Sequence, residues 1–236
     1  MNDWLYEYNE DESYCYRYTL GFPSAVLDKP GSSVFICIGL NPSTARPGEL
    51  DPTLKQVEKR AKMYGYDGWV MLNLYPQRGT NPNELAKTPN MNEHGHNLDA
   101  IEKLFSKIKD NRIDCMIWVA WGTNIKIRDY LVLFLADIKE RIGRARDFKW
   151  CNIGLTKNNH PHHPLMLSHE LRPESFPISS YIDEQLTQEN KDLLELRNQL
   201  VKILSKKDDP EAREKMELLN LSFPIYSTNN PVRPFS

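Results

Sequence analysis

Four apolar runs constrain the fold more than anything else in the chain: residues 34–38 (VFICI), 69–74 (WVMLNL), 115–121 (CMIWVAW) and 150–155 (WCNIGL). Each is short, rich in β-branched or aromatic residues, and reads as a strand buried on both faces. The stretches between them carry helical spacing. Behind Asp51-Pro52, a capping residue followed by proline at the first helical position, come Leu54, Val57, Ala61 and Tyr64. Gly65 and Gly68 close that helix. Asn81-Pro82-Asn83-Glu84 is a variant of the capping box. Leu98, Ile101, Leu104, Phe105 and Ile108 then share one face of a helix over 97–109. Residues 125–138 return to the helical period before the fourth run. This alternation predicts an α/β fold: a three-layer sandwich whose mostly parallel central sheet is covered on both faces. Residues 14–19 (YCYRYT) alternate like a half-buried strand and are expected to join as an antiparallel edge.

The character changes after about residue 170. Pro173 and Pro177 mark a connection, and residues 171–236 read as a helical appendage to a core of 1–170. A charged helix over 182–204 carries Leu193, Leu194, Leu196, Leu200 and Ile203; a second helix over 210–219 and an extended tail over 222–236 follow. Hydrophobic residues make up 40% of the chain, enough to fill a core. No window approaches the roughly 20 apolar residues that span a bilayer, and the first residues lack a secretory pattern. The chain is therefore expected to be soluble and cytoplasmic, with no membrane partner. Cys15, Cys37, Cys115 and Cys151 form no C-x-x-C pair, and the last three sit in apolar runs as small hydrophobes. No metal or cofactor is expected. A net charge of −2 steers nothing globally, so a phosphate partner needs local cations.

In an open parallel sheet, ligands bind beyond the carboxyl ends of the strands, where the loops gather. The four exits here are Asn41-Pro42-Ser43-Thr44, Asn73-Leu74-Tyr75-Pro76-Gln77-Arg78, Gly122-Thr123-Asn124, and the stretch from Thr156 and Lys157 to His163-Pro164. All are rich in groups that donate, accept or carry charge, whereas the opposite edge is plainer. Each piece also has a simpler reading. Asn41-Pro42 suits a turn; Asn73 either pins a neighbouring loop or faces a pocket. Arg78 suits a solvated loop, and Tyr75 can merely cover the sheet edge. His160, His162 and His163 invite a metal, but no carboxylate or thiolate cluster completes the set. His94, His96 and His169 read as surface residues.

The segments IGLNPSTA with DPT, GW-MLNLYPQR-T-P-EL, WVAWG and IGLTKNNHPHHPL resemble the bacterial and phage family called domain of unknown function 1643, over about residues 34–167. The order of motifs is also similar, more distantly, to the uracil-DNA glycosylase superfamily. Gly39-Leu40-Asn41-Pro42 matches the first four positions of the G-[IL]-N-P-G motif of its mismatch-specific branch, with Ser43 in place of the second Gly. His163-Pro164 resembles its H-P-S motif, with Leu165 in place of Ser.

That resemblance implies an α/β sandwich and N-glycosidic chemistry on nucleic acid or a nucleotide. Asn41 then positions the attacking water, or Asp51 does if it turns inward rather than serving as a cap. His163 or His162 stabilises the departing base, and Asn73 reads its edge. Tyr75 stacks on the base, a contact worth about 1–3 kcal/mol. Pro42, Ser43, Thr44 and Asn124 complete the pocket, while Arg46, Arg78 and Lys157 hold phosphate. The alternatives are a binder without catalysis that keeps the pocket, and a hydrolase using the three clustered histidines to hold a metal.

Overall fold

The computed structural model describes residues 3–10, 14–145, 147–168 and 170–204, with the isolated positions 210, 211 and 215. Seven strands form one mixed sheet: β1 (Leu5–Glu10), β2 (Cys15–Phe22), β3 (Ser33–Gly39), β4 (Gly68–Asn73), β5 (Asp114–Val119), β6 (Lys149–Asn152) and β7 (Glu174–Ser175). Their order is β1-β2-β4-β3-β5-β6-β7. The inner four are parallel, and the pairs at either flank are antiparallel. The four apolar runs supply the parallel core.

Period-2 alternation sorts the core into two layers. Val34, Ile36 and Ile38 of β3 face one cluster, together with Val70, Leu72, Ile117 and Val119. This face is covered by α2 (Met91–Asp110), α3 (Tyr130–Ala145) and α4 (Ile178–Gln185), which bring Leu98, Ile101, Phe105, Leu131, Leu135, Ile178 and Ile182 to the same cluster. Phe35 and Cys37 face the other way with Trp69, Met71 and Trp118, under Leu54, Val57 and Ala61 of α1 (Pro52–Met63). Helix α1 begins as its sequence predicts, with Pro52 at the first position and Asp51 Oδ1 accepting from Leu54 N at 2.8 Å.

Several boundaries differ from the sequence pattern. The antiparallel aromatic strand is not the edge, because β1 (LYEYNE) adds outside it; the polar, half-exposed β1 offers no apolar signal. Helix α2 starts at Met91 rather than 97, where Asn90 Oδ1 accepts from Asn92 N and Glu93 N. Its polar first turns conceal it, yet Glu93 and His94 are buried there, so His94 is not a surface residue. The capping-box variant at 81–84 makes a single 3-10 turn, Pro82–Glu84, with Asn81 accepting from Asn83 N. Residues within 125–138 divide between a 3-10 turn, Thr123–Ile127, and α3.

The span 182–204 is two helices, α4 and α5 (Gln188–Leu204). They separate at Leu186-Thr187, where Thr187 Oγ1 accepts from Asn190 N and starts the second. Apart from positions 210, 211 and 215, which are helical, the second expected helix and the tail lie outside the described residues, as does His169. No helix among the described residues is long and apolar enough to cross a membrane.

One topological fact locates the site. From β3 the chain moves to β4 on one side, then crosses to β5 on the other. The loops leaving β3 and β5 therefore diverge and leave a crevice at their carboxyl ends.

Candidate functional site

The loop leaving β3 is laced to the loop leaving β4. Asn41 Nδ2 donates to Gly79 O at 3.0 Å, and Gly79 N donates to Pro42 O at 2.8 Å. The Arg78 guanidinium gathers three consecutive carbonyls: Nε to Ser43 O at 3.0 Å, and one terminal nitrogen to Thr44 O and to Ala45 O at 3.2 Å. Asn73 is fully buried at the end of β4. In the amide orientation that satisfies both its faces, Asn73 Nδ2 donates to Asn41 O at 3.2 Å and to Leu72 O at 3.3 Å. A Cβ on Gly39 would stand 2.5 Å from Met71 Cε and 3.2 Å from the Asn73 side-chain amide, so a side chain there would displace the methionine tip and crowd that amide. The Asn41 segment is thus held from three directions before any ligand arrives.

Beside it lies a cavity of about 420 Å³, within the range of small-molecule sites. Asn41, Ser43 and Thr44 line one wall, the start of α1 from Asp51 to Leu54 another, and Asn124, His163 and Leu165 close it from the far exits. Five of the residues singled out from sequence therefore meet in one place: Asn41, Ser43, Thr44, Asn124 and His163. Asp51 joins them while remaining the helix cap.

The other sequence candidates stand elsewhere. Asn73 is turned into the β3 exit and pins it, so of its two readings the loop-pinning one describes the structure. Tyr75 is buried against Tyr130 and Phe134, its hydroxyl accepting from Asn90 N at 2.8 Å, and offers no face to the cavity. Arg78 is committed to carbonyls rather than left in solvent. Pro42 is buried behind the wall, Arg46 is exposed in a backbone bridge with Glu49, and Lys157 is exposed in a turn; none of the three lines the cavity. His162 lies along Gly154, its Cδ2 3.4 Å from where a Cβ on that glycine would stand.

His160 is buried and bonds Tyr181 OH at 2.8 Å through Nδ1. Trp121 Nε1 donates to the same oxygen at 3.1 Å. Burial, with the Lys126 charge acting in the same direction, lowers the proton affinity of the imidazole. The three clustered histidines do not converge. Among the described residues, no three His, Cys, Asp or Glu side chains are grouped to hold a metal ion.

His163 lines the cavity. Its Nδ1 accepts from Leu165 N at 3.4 Å, which leaves Nε2–H as the donor of the neutral ring. Burial pushes its pKa below 6.5, and the Asp51 carboxylate partly opposes that shift. Gly122 at the β5 exit has φ 71 and ψ −170, a region open essentially to glycine, and its missing Cβ would lie 3.7 Å from His163 Cβ.

Sequence reasoning missed further wall residues, Trp121 and Arg17 among them. Trp121 was assigned only to a strand, and Arg17 was hidden in the alternation YCYRYT. An arginine inside an aromatic strand was the available signal, since a charge in such a run is either exposed or in use.

Arg78 also carries a stability prediction. Arg78→Ala removes a charged donor from three loop carbonyls, and chemical denaturation should show a loss of about 1.5–3 kcal/mol. An unchanged midpoint would mean that the loop does not depend on the clamp.

Comparison with curated proteins and with solved structures found no match. The family model described as "Protein of unknown function (DUF1643)" matches residues 17–165, from the buried Arg17 of β2 to Leu165 at the cavity. That span includes all four parallel strands and both sides of the crevice, and the chain belongs to this family.

Proposed function

We propose that the chain is a nucleobase-recognising N-glycosidic hydrolase with a uracil-DNA glycosylase-like sandwich, acting on nucleic acid or a nucleotide. The observation that carries this reading is the meeting of Asn41 and His163 in one cavity at the switch point of the sheet. With Nδ2 fixed by Gly79 O, the Asn41 amide has its orientation set, and Oδ1 is the acceptor available to hold a water. That water attacks C1′ as the bond to the base breaks, and the bonding electrons leave with the base. His163 Nε2–H, neutral at pH 7, donates to the atom where that negative charge develops. Asp51 Oδ1 is occupied by Leu54 N–H, so its other oxygen receives the proton lost by water. Asn124, rather than Asn73, is the amide at the wall for the base edge, and Trp121 supplies an apolar surface.

The test is incubation with single- and double-stranded oligonucleotides and free nucleotides carrying normal, deaminated and alkylated bases. Abasic sites or released base are the expected products. A panel without release would remove the reading, and salt-dependent binding without turnover would favour the binder that keeps the pocket.

The pH dependence follows from His163. The neutral ring is the working form, so turnover is lost only as pH falls through the depressed pKa, placing the acid limb below 6.5. Asp51 raises that pKa, so Asp51→Asn should move the limb of the residual activity still lower. A limb that moves upward would contradict the assigned pairing.

A further inference from the structure

Arg17 is among the most buried side chains of the protein, at 1% exposure, and it lines the cavity. Among the described residues its guanidinium makes one hydrogen bond, from a terminal nitrogen to Ala45 O at 3.2 Å, and no ion pair. Its Nε has no hydrogen-bond partner among the described residues. An unpaired buried charge is costly, and a donor left unsatisfied beside a cavity calls for an explanation. The surroundings add to the cost, because Arg78 donates to the same Ala45 carbonyl and brings a second positive charge. Burial, then Arg78, push the Arg17 pKa down to about 10, against a partial offset from Asp51. Arg78 does not line the cavity, but its charge and that of Arg17 together outnumber the Asp51 carboxylate beside this wall.

The backbone also departs from regularity at this point. The pairing of β1 with β2 runs from Glu7↔Thr19 to Tyr8↔Arg17 and skips Tyr18. Such bulges re-aim side chains and recur beside active sites. Below Leu20 the ladder between β2 and β4 stops, and Arg17 N instead donates to Pro76 O at 2.9 Å. Pairing resumes in a shifted register with the β4 exit, through the Tyr16↔Gln77 bridge and Arg78 N donating to Cys15 O at 2.8 Å, so the ladder is irregular where Arg17 meets the cavity.

We propose that Arg17 is the anion-binding residue of this cavity and that its ligand presents a phosphate group to it. The inference rests on the nucleotide reading of the same site and narrows it: the substrate is a nucleotide, free or within a strand, rather than a nucleoside or free base. A planar guanidinium with unmet donors suits a phosphate oxygen, and an empty site leaves the charge uncompensated.

The test measures calorimetric binding of inorganic phosphate, the four deoxyribonucleosides and their 5′-monophosphates to the full chain and to Arg17→Met. The full chain should bind monophosphates about 30-fold or more tighter than the nucleosides, and Arg17→Met should lose that margin. Because an apolar replacement relieves an unpaired buried charge, the variant should melt no lower than the parent. A purely structural role requires a lower melting temperature with the phosphate preference intact, and that result overturns the proposal. Equal binding of nucleosides and monophosphates, or no binding of any phosphate-bearing probe, overturns it as well.

If Arg17→Met does not fold, Arg17→Lys keeps the charge without the planar fork. It should weaken monophosphates about tenfold and leave nucleosides unchanged; failure of this variant to fold assigns Arg17 to structure and ends the proposal. Phosphate preference without base release on the oligonucleotide panel would leave this inference standing and remove the glycosidic one. Base release without phosphate preference would do the reverse.

Discussion

Replacing Asp137 with alanine is expected to lower the unfolding free energy by about 3–5 kcal/mol, because it strands the buried His94 and the partly buried Arg197. Asp137 lies on α3, where Oδ2 is 3.1 Å from His94 Nε2 and Oδ1 is 2.5 Å from an Arg197 terminal nitrogen of α5. His94 is 1% exposed and stacked on Phe134, with centroids 3.5 Å apart and planes at 12°. Without the carboxylate, the imidazole loses its partner, and among the described residues the guanidinium keeps only the peripheral Glu140 at 3.4 Å. For a chain of this size, each kcal/mol moves the melting temperature by about 2–4 °C, so a fall on the order of 10 °C is expected. Glu140→Ala, on the exposed side of the same cluster, should cost no more than about 1 kcal/mol.

Acid provides a second readout. Burial pushes the Asp137 carboxyl up, but the His94 hydrogen bond and the Arg197 charge outweigh it and hold the group below 3.8. A carboxyl depressed in the folded state contributes stability above its unfolded value, and that stability is lost as pH falls through the folded value. The parent should therefore show a loss below about pH 3.8 that Asp137→Ala lacks. Denaturation curves at pH 7 and down to pH 3 measure both effects, and parallel acid profiles would mean that the carboxylate is not depressed.

The His94 cluster shows what the sequence concealed. Residues 34–38, 69–74, 115–121 and 150–155 were legible as core strands because burial on both faces leaves an unbroken apolar run. Asp51-Pro52 was legible as a helix start because cap and proline act within one turn. The first turns of α2 were not, since Asn92, Glu93, His94 and His96 look solvated until distant partners are known: Asn9 and Tyr18 for Glu93, Asp137 for His94.

The site divides along the same line. The strand exits named its location and five of its residues, because polar groups collect there whatever the ligand. The roles of Asn73, Tyr75 and Arg78 depended on long-range bonds to Asn41, Asn90 and the 43–45 carbonyls, which no local pattern encodes. Arg17 was hidden for a subtler reason. A single skipped residue at Tyr18 breaks the period-2 rule by which its direction would be read.

Turnover should fall by about 100-fold or more in Asn41→Ala, with KM nearly unchanged, because the residue orients water rather than holding the base. The structural cost should be small. The lost Nδ2 bond to Gly79 O is worth about 0.5–1.5 kcal/mol, while Gly79 N to Pro42 O and the Arg78 clamp keep the two loops together. Asn41→Asp separates the two functions of the amide. It keeps an acceptor oxygen but offers Gly79 O no donor, so the side chain is free to rotate; intermediate turnover is expected. If both variants matched the parent on a substrate that the parent cleaves, Asn41 would be only the strap between the β3 and β4 exits, and water activation would fall to Asp51 alone. If instead Asn41→Ala lost turnover together with several kcal/mol of stability, the defect would be in the loop and not in the chemistry. Rates and denaturation midpoints measured on the same preparations separate these cases, since only a water-positioning amide gives a large kinetic loss on a nearly intact fold.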